Sequence, residues 1–164
     1  MANILAARLN TARQFPPGEE LMLALGLAIS DLGALSAEIL DRHDLSHTQY
    51  NVLRMLRGVG DQGLTHTEIT KWMIMGVPDV TRMVDRLEKR RLVRRERDLD
   101  DRRKVLHRIQ PRGRELLEAV EPHMAALHRW VADAMSSSRR EMLVELCEEI
   151  IEIAAERSGR ELKS

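Results

Sequence analysis

The sequence predicts a mainly α-helical fold with one small β-hairpin. Apolar residues make up 43% of the 164 residues but aromatic residues only 2%, which favours helix-on-helix packing. Most apolar positions recur every three or four residues, as on one face of a helix. Only two short segments, 92–97 and 104–109, have the character of strands, and the second alternates with a period of two. The length suits a single domain.

The N-terminal part predicts an arm followed by one long helix. Residues 1–18 end in Phe15-Pro16-Pro17-Gly18, which interrupts regular structure, so we expect a flexible arm or a short extra helix before this break. From Glu19 to about Arg42, apolar residues such as Leu21, Leu25 and Leu32 recur at helical spacing. Residues 19–44 are therefore predicted to be a long amphipathic helix.

Three shorter helices are predicted between residues 45 and 91. Ser46 is the expected N-cap of a helix that ends near Arg57. Thr65 caps the next helix, and Glu68, three residues later, completes a capping box. Gly76-Val77-Pro78-Asp79 begins the third helix, because proline suits a first turn and an acid complements the helix dipole. Its predicted buried stripe is Val80, Met83, Val84 and Leu87.

The C-terminal part predicts the hairpin and two further helices. The strands at 92–97 and 104–109 are joined by a turn rich in aspartate and arginine. Pro111 begins a long helix that three serines, residues 136–138, interrupt before a last helix. Together these helices occupy 111–157, and residues 158–164 form a tail.

Positive charge is concentrated in the middle of the chain, although the formal net charge is zero. Residues 65–114 hold 15 Lys and Arg against 8 Asp and Glu, whereas the rest of the chain holds 11 against 18. Ten of the fifteen residues from Arg95 to Ile109 are charged. Since the distribution of charge matters more than its total, the basic middle indicates a nucleic-acid-binding surface.

Two short helices joined by a tight turn and followed by a basic hairpin define a winged helix–turn–helix. In this arrangement the second helix enters the major groove with its N-terminal residues against base edges. Arginine can bond guanine bidentately, threonine can meet a thymine methyl and aspartate can accept from cytosine. The hairpin, or wing, reaches the adjacent minor groove or backbone. The predicted base-reading residues are Pro78, Asp79, Thr81, Arg82 and Arg86.

The segment from about Leu45 to Leu117 resembles the MarR family of bacterial transcription regulators. The resemblance is carried by LTHTEITKWM, VTRMVDRLEKR, and the DDRR of the wing followed by PRGRELL. It implies an obligate homodimer, joined through helices 19–44 and 111–157, with a DNA-binding region at 45–110. It also implies a pseudo-palindromic operator and repression of nearby genes, relieved by a small, often aromatic or phenolic, effector.

The resemblance also assigns roles to individual residues. It implies phosphate contacts from Thr65, Thr67 and Lys71, and a wing tip that presents Arg102 and Arg103, oriented by Asp100 or Asp101. An effector pocket would lie near His43, His47, Tyr50 and Trp72, although residues of these types are more often packed in a core. Arg91 stands where the family commonly has glycine, and Gln110 replaces the usual threonine cap before Pro111.

Other function classes have little support in the sequence. It contains no phosphate loop, nucleophile motif or metal-ligand cluster, so we expect neither an enzyme nor a cofactor. The single cysteine, Cys147, fits a reducing cytoplasm, and the longest uncharged run, Leu21 to Ser30, is too short for a membrane span. A protein-binding winged helix and a metal-responsive regulator remain alternatives. For the latter, His43 and His47 straddle a helix start, and roles for His123 and His128 stay open.

Overall fold

The computed structural model describes residues 4–10, 14–73, 80–99 and 101–159. Its helices and strands follow the predicted order, with one additional strand. They are α1 (Ile4–Arg8), α2 (Pro17–Asp41), α3 (His47–Val59), a short 3-10 turn (Gly60–Gln62), β1 (Leu64–Thr65), α4 (His66–Trp72), α5 (Val80–Lys89), β2 (Val93–Arg97), β3 (Val105–Ile109), α6 (Pro111–Asp133) and α7 (Ser137–Ser158). The predicted fold class, mainly α with a β-hairpin, is confirmed.

The chain divides into two compact units within helix α6, at His123 and Met124. The first unit has an apolar core to which α2 to α6 and the sheet all contribute; its fully buried side chains include Leu40, Leu53, Leu56, Ile69, Val84, Leu87, Val93, Leu117 and Val120. In the second unit, the Arg140 guanidinium donates to the carbonyls of Ala132 and Met135, both at 2.7 Å. These hydrogen bonds tie the start of α7 to the end of α6 and to the turn between the two helices.

Helices α3 and α4 both begin with a capping box. The Ser46 hydroxyl accepts from the Gln49 N–H at 3.2 Å, and the Gln49 side chain accepts from the Ser46 N–H at 3.0 Å. Thr65 and Glu68 form the same pair of bonds, at 3.3 and 2.8 Å. The predicted caps are thus confirmed, while α3 continues past its predicted end to Val59, where Gly60 has a φ of 59°.

The N-terminal break lies earlier than predicted. Helix α2 begins at Pro17, not after Gly18, because proline is well accommodated in a first helical turn. The short helix α1 matches the second of the two expectations for the arm. By length and composition alone, helix α2 could also cross a membrane. Its mean hydropathy is 1.6 over an 18-residue window, and 6% of that window is buried. The longest uncharged run alone did not indicate this, since Asp31 interrupts the apolar residues of the helix after Ser30.

A three-stranded antiparallel sheet, in the order β1-β3-β2, forms the wing and its base. Val93 pairs with Ile109 and Arg97 with Val105, so the predicted strands are confirmed to within one residue. Strand β1 was not predicted, because two residues are too few to show a period. Val105 is 42% exposed at the far end of the wing, whereas Leu106 and His107 are both buried.

Arg91, two residues after the end of α5, adopts a strained backbone conformation that glycine would relieve. Arg91 has a φ of 58°, and its N–H and that of Leu92 donate back to the carbonyls of Glu88 and Leu87. This is the pattern of a left-handed helix C-terminus, in which arginine costs about 1 kcal/mol relative to glycine. Gln110 caps no helix with its side chain; it donates to the Val93 carbonyl at 3.0 Å and so ties β2 to the start of α6.

Gly113→Ala is expected to destabilise the protein strongly. A Cβ at Gly113 would lie 2.4 Å from the Leu92 carbonyl oxygen and 2.9 Å from Cγ1 of Ile109, so the backbone would have to move. We expect a loss of about 3 kcal/mol in the free energy of unfolding, measured by urea denaturation. Gly58→Ala is the control, because nothing lies within 4 Å of its Cβ position. Equal stability of the two variants would contradict this packing.

Candidate nucleic-acid interface

Helix α5 presents a polar face opposite its buried stripe. Val80, Met83, Val84 and Leu87 are all at most 7% exposed, as predicted. Thr81, Arg82 and Arg86 are exposed on the other side of the helix. The structure therefore brings three of the five predicted base-reading residues to one surface. Pro78 and Asp79 lie outside the described residues.

Helix α4 contributes two exposed polar residues and a cap. Thr67 and Lys71 are four residues apart and exposed, so they share one side of the helix. Thr65 is less available than predicted, because its hydroxyl donates to the Glu68 carboxylate at 2.7 Å and accepts from the Glu68 N–H. These bonds from the Thr65 N–H and hydroxyl also lower the pKa of Glu68. Thr65 thus serves first to start the helix.

The turn at the tip of the wing is shaped by its acids. The Asp98 carboxylate accepts from the Asp101 N–H at 3.0 Å, and the Asp101 carboxylate accepts from the N–H and Nε of Arg103 at 3.1 and 3.3 Å. The predicted role of Asp101 in orienting an arginine is confirmed, and Asp100 lies outside the described residues. Arg102 and Arg103 are exposed beside Lys104, a basic residue that the sequence analysis did not single out.

Two arginines of strand β2, Arg94 and Arg95, form ion pairs within the protein. Arg95 forms ion pairs with Asp85, and with Glu88 at 3.1 Å, both on α5. Glu96 accepts from Arg94 at 2.7 Å and from Arg108 at 3.3 Å. Because two acids of α5 hold Arg95, this arginine braces the wing against α5. Arg86 on α5 and Arg102 at the tip of the wing are exposed.

His107 lies buried in the middle strand of the sheet, opposite Leu64 on one side and Arg95 on the other. Its Nδ1 has no hydrogen-bond partner within the described part of the chain. Burial, and then the positive charges of Arg95 and His66, lower its pKa to about 4, while Asp85 acts in the opposite sense. The histidine is therefore neutral in the folded protein at neutral pH.

Acid is expected to destabilise the protein through His107. Since its folded pKa of about 4 lies below the unfolded value of 6.5, its neutral form stabilises the fold above pH 6.5. This contribution is lost as the pH falls through 6.5 towards 4, up to about 3 kcal/mol. Urea denaturation at a series of pH values measures it. His107→Leu should flatten the profile in this window, and an unchanged slope would contradict the assignment.

The predicted effector residues differ in their burial. Tyr50 is 4% exposed, with the Arg54 guanidinium 5.6 Å from its ring centroid, and burial raises its pKa. The ring of His43 lies 6.3 Å from that of His123, while His47 and Trp72 are exposed. In the part of the chain that the structure describes, no hydrogen bond, ion pair or ring contact joins any two of the four predicted residues.

An ion pair near Tyr50 joins two helices. The Arg57 guanidinium donates to the Glu121 carboxylate, joining α3 to α6. This hydrogen bond lowers the pKa of Glu121 and raises that of Arg57.

Across the described ranges, no three His, Cys, Asp or Glu side chains converge on a possible metal site.

Comparisons with known proteins agree with this architecture. A sequence model described as MarR family matches residues 45–105. The HTH-type transcriptional regulator MhqR of Bacillus subtilis (strain 168) is 30% identical over 132 residues, which cover 80% of this chain and 87% of that protein. The chain therefore belongs to the MarR family of DNA-binding transcriptional regulators. The family and this relative are regulators of transcription, not enzymes.

Two solved structures extend the likeness. A MarR transcription factor from Planctomyces limnophilus is 31% identical, with a TM-score of 0.63 over 83% of this chain and 98% of that chain. BpsR of Bordetella bronchiseptica, whose DNA binding is regulated by 6-hydroxynicotinic acid, is 25% identical, with a TM-score of 0.71 over 84% of this chain and 97% of that chain. The winged helix–turn–helix predicted from the sequence is thus confirmed.

Proposed function

We propose that the protein is a homodimeric cytoplasmic repressor that binds a pseudo-palindromic operator and is released by a small aromatic effector. Thr81, Arg82 and Arg86 of α5, the proposed recognition helix, read base edges in the major groove, together with Pro78 and Asp79, which precede α5 in the sequence. Thr65, Thr67 and Lys71 position the protein on phosphates. The wing places Arg102 and Arg103 in the adjacent minor groove.

The observation that carries the proposal is the division of arginines into paired and outward-facing groups. Arg95 is held by two acids of α5, whereas Arg86 and Arg102 are exposed and no acid among the described residues pairs with them. A fold stabilised by surface ion pairs alone would not leave these two arginines exposed without an acidic partner. Such charges suit a polyanion whose phosphates they would neutralise.

The dimer is supported by apolar side chains that each unit leaves exposed. In α2, Met22 is 75% and Ile29 63% exposed; in α7, Leu146 is 49% and Ile153 64% exposed. Exposed apolar residues in such numbers are typical of an interface. A two-fold dimer, in which the same surface meets itself, is the commonest way to cover them. The same contact would account for the apolar character of α2.

The effector is proposed to act by changing dimer geometry. A ligand that binds better to a form with misplaced recognition helices shifts the population away from the DNA-binding form. The regulation of BpsR by 6-hydroxynicotinic acid supports an aromatic acid as the first candidate. The neighbourhood of Tyr50, Arg54 and Arg57, with its buried phenol and two guanidinium groups, offers suitable chemistry for such an anion.

Gel-shift titration of the purified protein against the DNA upstream of its own gene tests the function. The expected result is a retarded complex that survives excess unrelated DNA and is reversed by an aromatic acid, with 6-hydroxynicotinic acid as the first compound. Absence of retardation at every low-salt condition would refute DNA-mediated regulation. Retardation that no aromatic acid reverses would remove only the proposed effector class.

A further inference from the structure

A hydrogen bond joins the two helices of the helix–turn–helix across the DNA-facing surface. Oγ1 of Thr81, at the start of α5, lies 2.9 Å from Nε2 of His66, the first residue of α4. Both side chains are exposed, so the bond is not part of the apolar core. His66 was not predicted from the sequence, because a contact between residues fifteen positions apart leaves no local pattern.

We propose that His66 is a positioning residue that fixes the side chain of Thr81 and thereby contributes to the choice of operator sequence. This inference rests on the proposed function, in which Thr81 faces DNA bases. In a helix, threonine populates two χ1 rotamers, because its hydroxyl can also bond a carbonyl of the preceding turn. The bond to His66 selects one rotamer and so fixes the directions of both Oγ1 and the Cγ2 methyl group.

The same bond determines which hydrogen-bonding role Thr81 offers to a base. When Nε2 carries the proton, it donates to Oγ1, and the hydroxyl keeps its own proton for an acceptor on the DNA. When Nε2 is bare, the hydroxyl donates to the imidazole and presents only lone pairs outward. In either case the side chain is committed before DNA arrives, which lowers the entropy lost on binding.

His66 is well placed to hold this bond. Its backbone is fixed at the first turn of α4 by the Thr65–Glu68 capping box. The nearby imidazole of His107 is buried and neutral at neutral pH, so it does not repel His66 there. Asp85 and Arg95, the other charged groups around His107, are paired with each other.

A double-mutant cycle measured on two DNA duplexes tests the inference. Binding of the full chain is measured to its own upstream DNA and to an unrelated duplex at the same salt concentration. The variants are His66→Ala, Thr81→Val, which keeps the branched shape without the hydroxyl, their combination, and His66→Gln, whose amide can replace Nε2. Thr70→Val is the matched control, since the Thr70 hydroxyl donates to the His66 carbonyl of its own helix, at 2.9 Å.

We expect His66→Ala to weaken operator binding about five-fold, as loss of one ordinary hydrogen bond predicts, and to leave unrelated DNA almost unaffected. The double variant should bind like Thr81→Val alone, His66→Gln should restore most of the loss, and Thr70→Val should keep the wild-type preference. Equal losses on both duplexes would overturn the inference, because His66 would then act on phosphates or on folding. Additive losses in the double variant, or failure of His66→Gln to restore binding, would also overturn it.

The outcomes for the inference and for the proposed function are distinguishable. If the wild-type protein shows no preference for its own upstream DNA, the proposed function fails and the inference with it. If the wild-type protein has that preference and His66→Ala retains it in full, only the inference fails.

Discussion

Arg82→Ala combined with Arg103→Ala is expected to abolish selective operator binding while leaving the protein folded. Arg82 lies on the exposed face of α5 and Arg103 at the tip of the wing, 95% exposed. A bidentate contact from arginine to a base contributes about 1–3 kcal/mol of discrimination. Loss of one base contact and one minor-groove contact should therefore weaken operator binding about 100-fold or more. Neither substitution removes a buried side chain, so stability should change little.

Binding isotherms on operator and unrelated DNA measure this effect, with Arg139→Ala plus Arg157→Ala as the charge-matched control. The control removes the same two positive charges from exposed sites on α7, outside the basic segment 65–114. It should bind almost as the wild type does. Equal weakening by both pairs would mean that net charge alone governs binding. Undiminished operator binding by Arg82→Ala plus Arg103→Ala would favour the alternative of a protein-binding winged helix.

Leu146→Glu combined with Ile153→Glu is expected to convert the proposed dimer into monomers and so to prevent operator binding. The two residues are seven apart, on one side of α7, and 49% and 64% exposed in the single chain. Burial of each such side chain stabilises an interface by about 1.5–3 kcal/mol, and a buried unpaired carboxylate adds a further cost. The dissociation constant of the dimer should rise at least about 100-fold.

Sedimentation-velocity ultracentrifugation over a range of protein concentrations measures the dimer directly. Glu145→Gln plus Glu152→Gln is the control, since these exposed residues have the same seven-residue spacing on α7. The control should remain dimeric. A wild-type protein that sediments as a monomer at micromolar concentration, or a Leu146→Glu, Ile153→Glu variant that remains dimeric, would contradict the proposed interface.

Local patterns in the sequence predicted the parts of the fold that depend on neighbouring residues. The Thr65–Glu68 capping box and the buried stripe of α5 are both confirmed, because each is defined within one or two turns of helix. The left-handed backbone at Arg91 could also be inferred, since the resemblance to the family pointed to a glycine site. The fold class followed from the order of these local elements.

Contacts between distant residues could not be predicted in the same way. Strand β1 exists only because Leu64 and Thr65 pair with β3, more than forty residues later. The pairing of Arg95 with Asp85 and Glu88 depends on how the wing folds back against α5.

Footprinting of the protein on the DNA upstream of its gene tests the central claim most directly, namely that a dimer reads two operator half-sites with paired recognition helices. The predicted result is two protected segments of related, inverted sequence, whose centres lie about 34 Å, one helical turn, or a multiple of this distance apart. Both segments should be lost together in the Arg82→Ala, Arg103→Ala variant. Uniform protection along the fragment, or a single isolated segment that this variant still protects, would contradict the account.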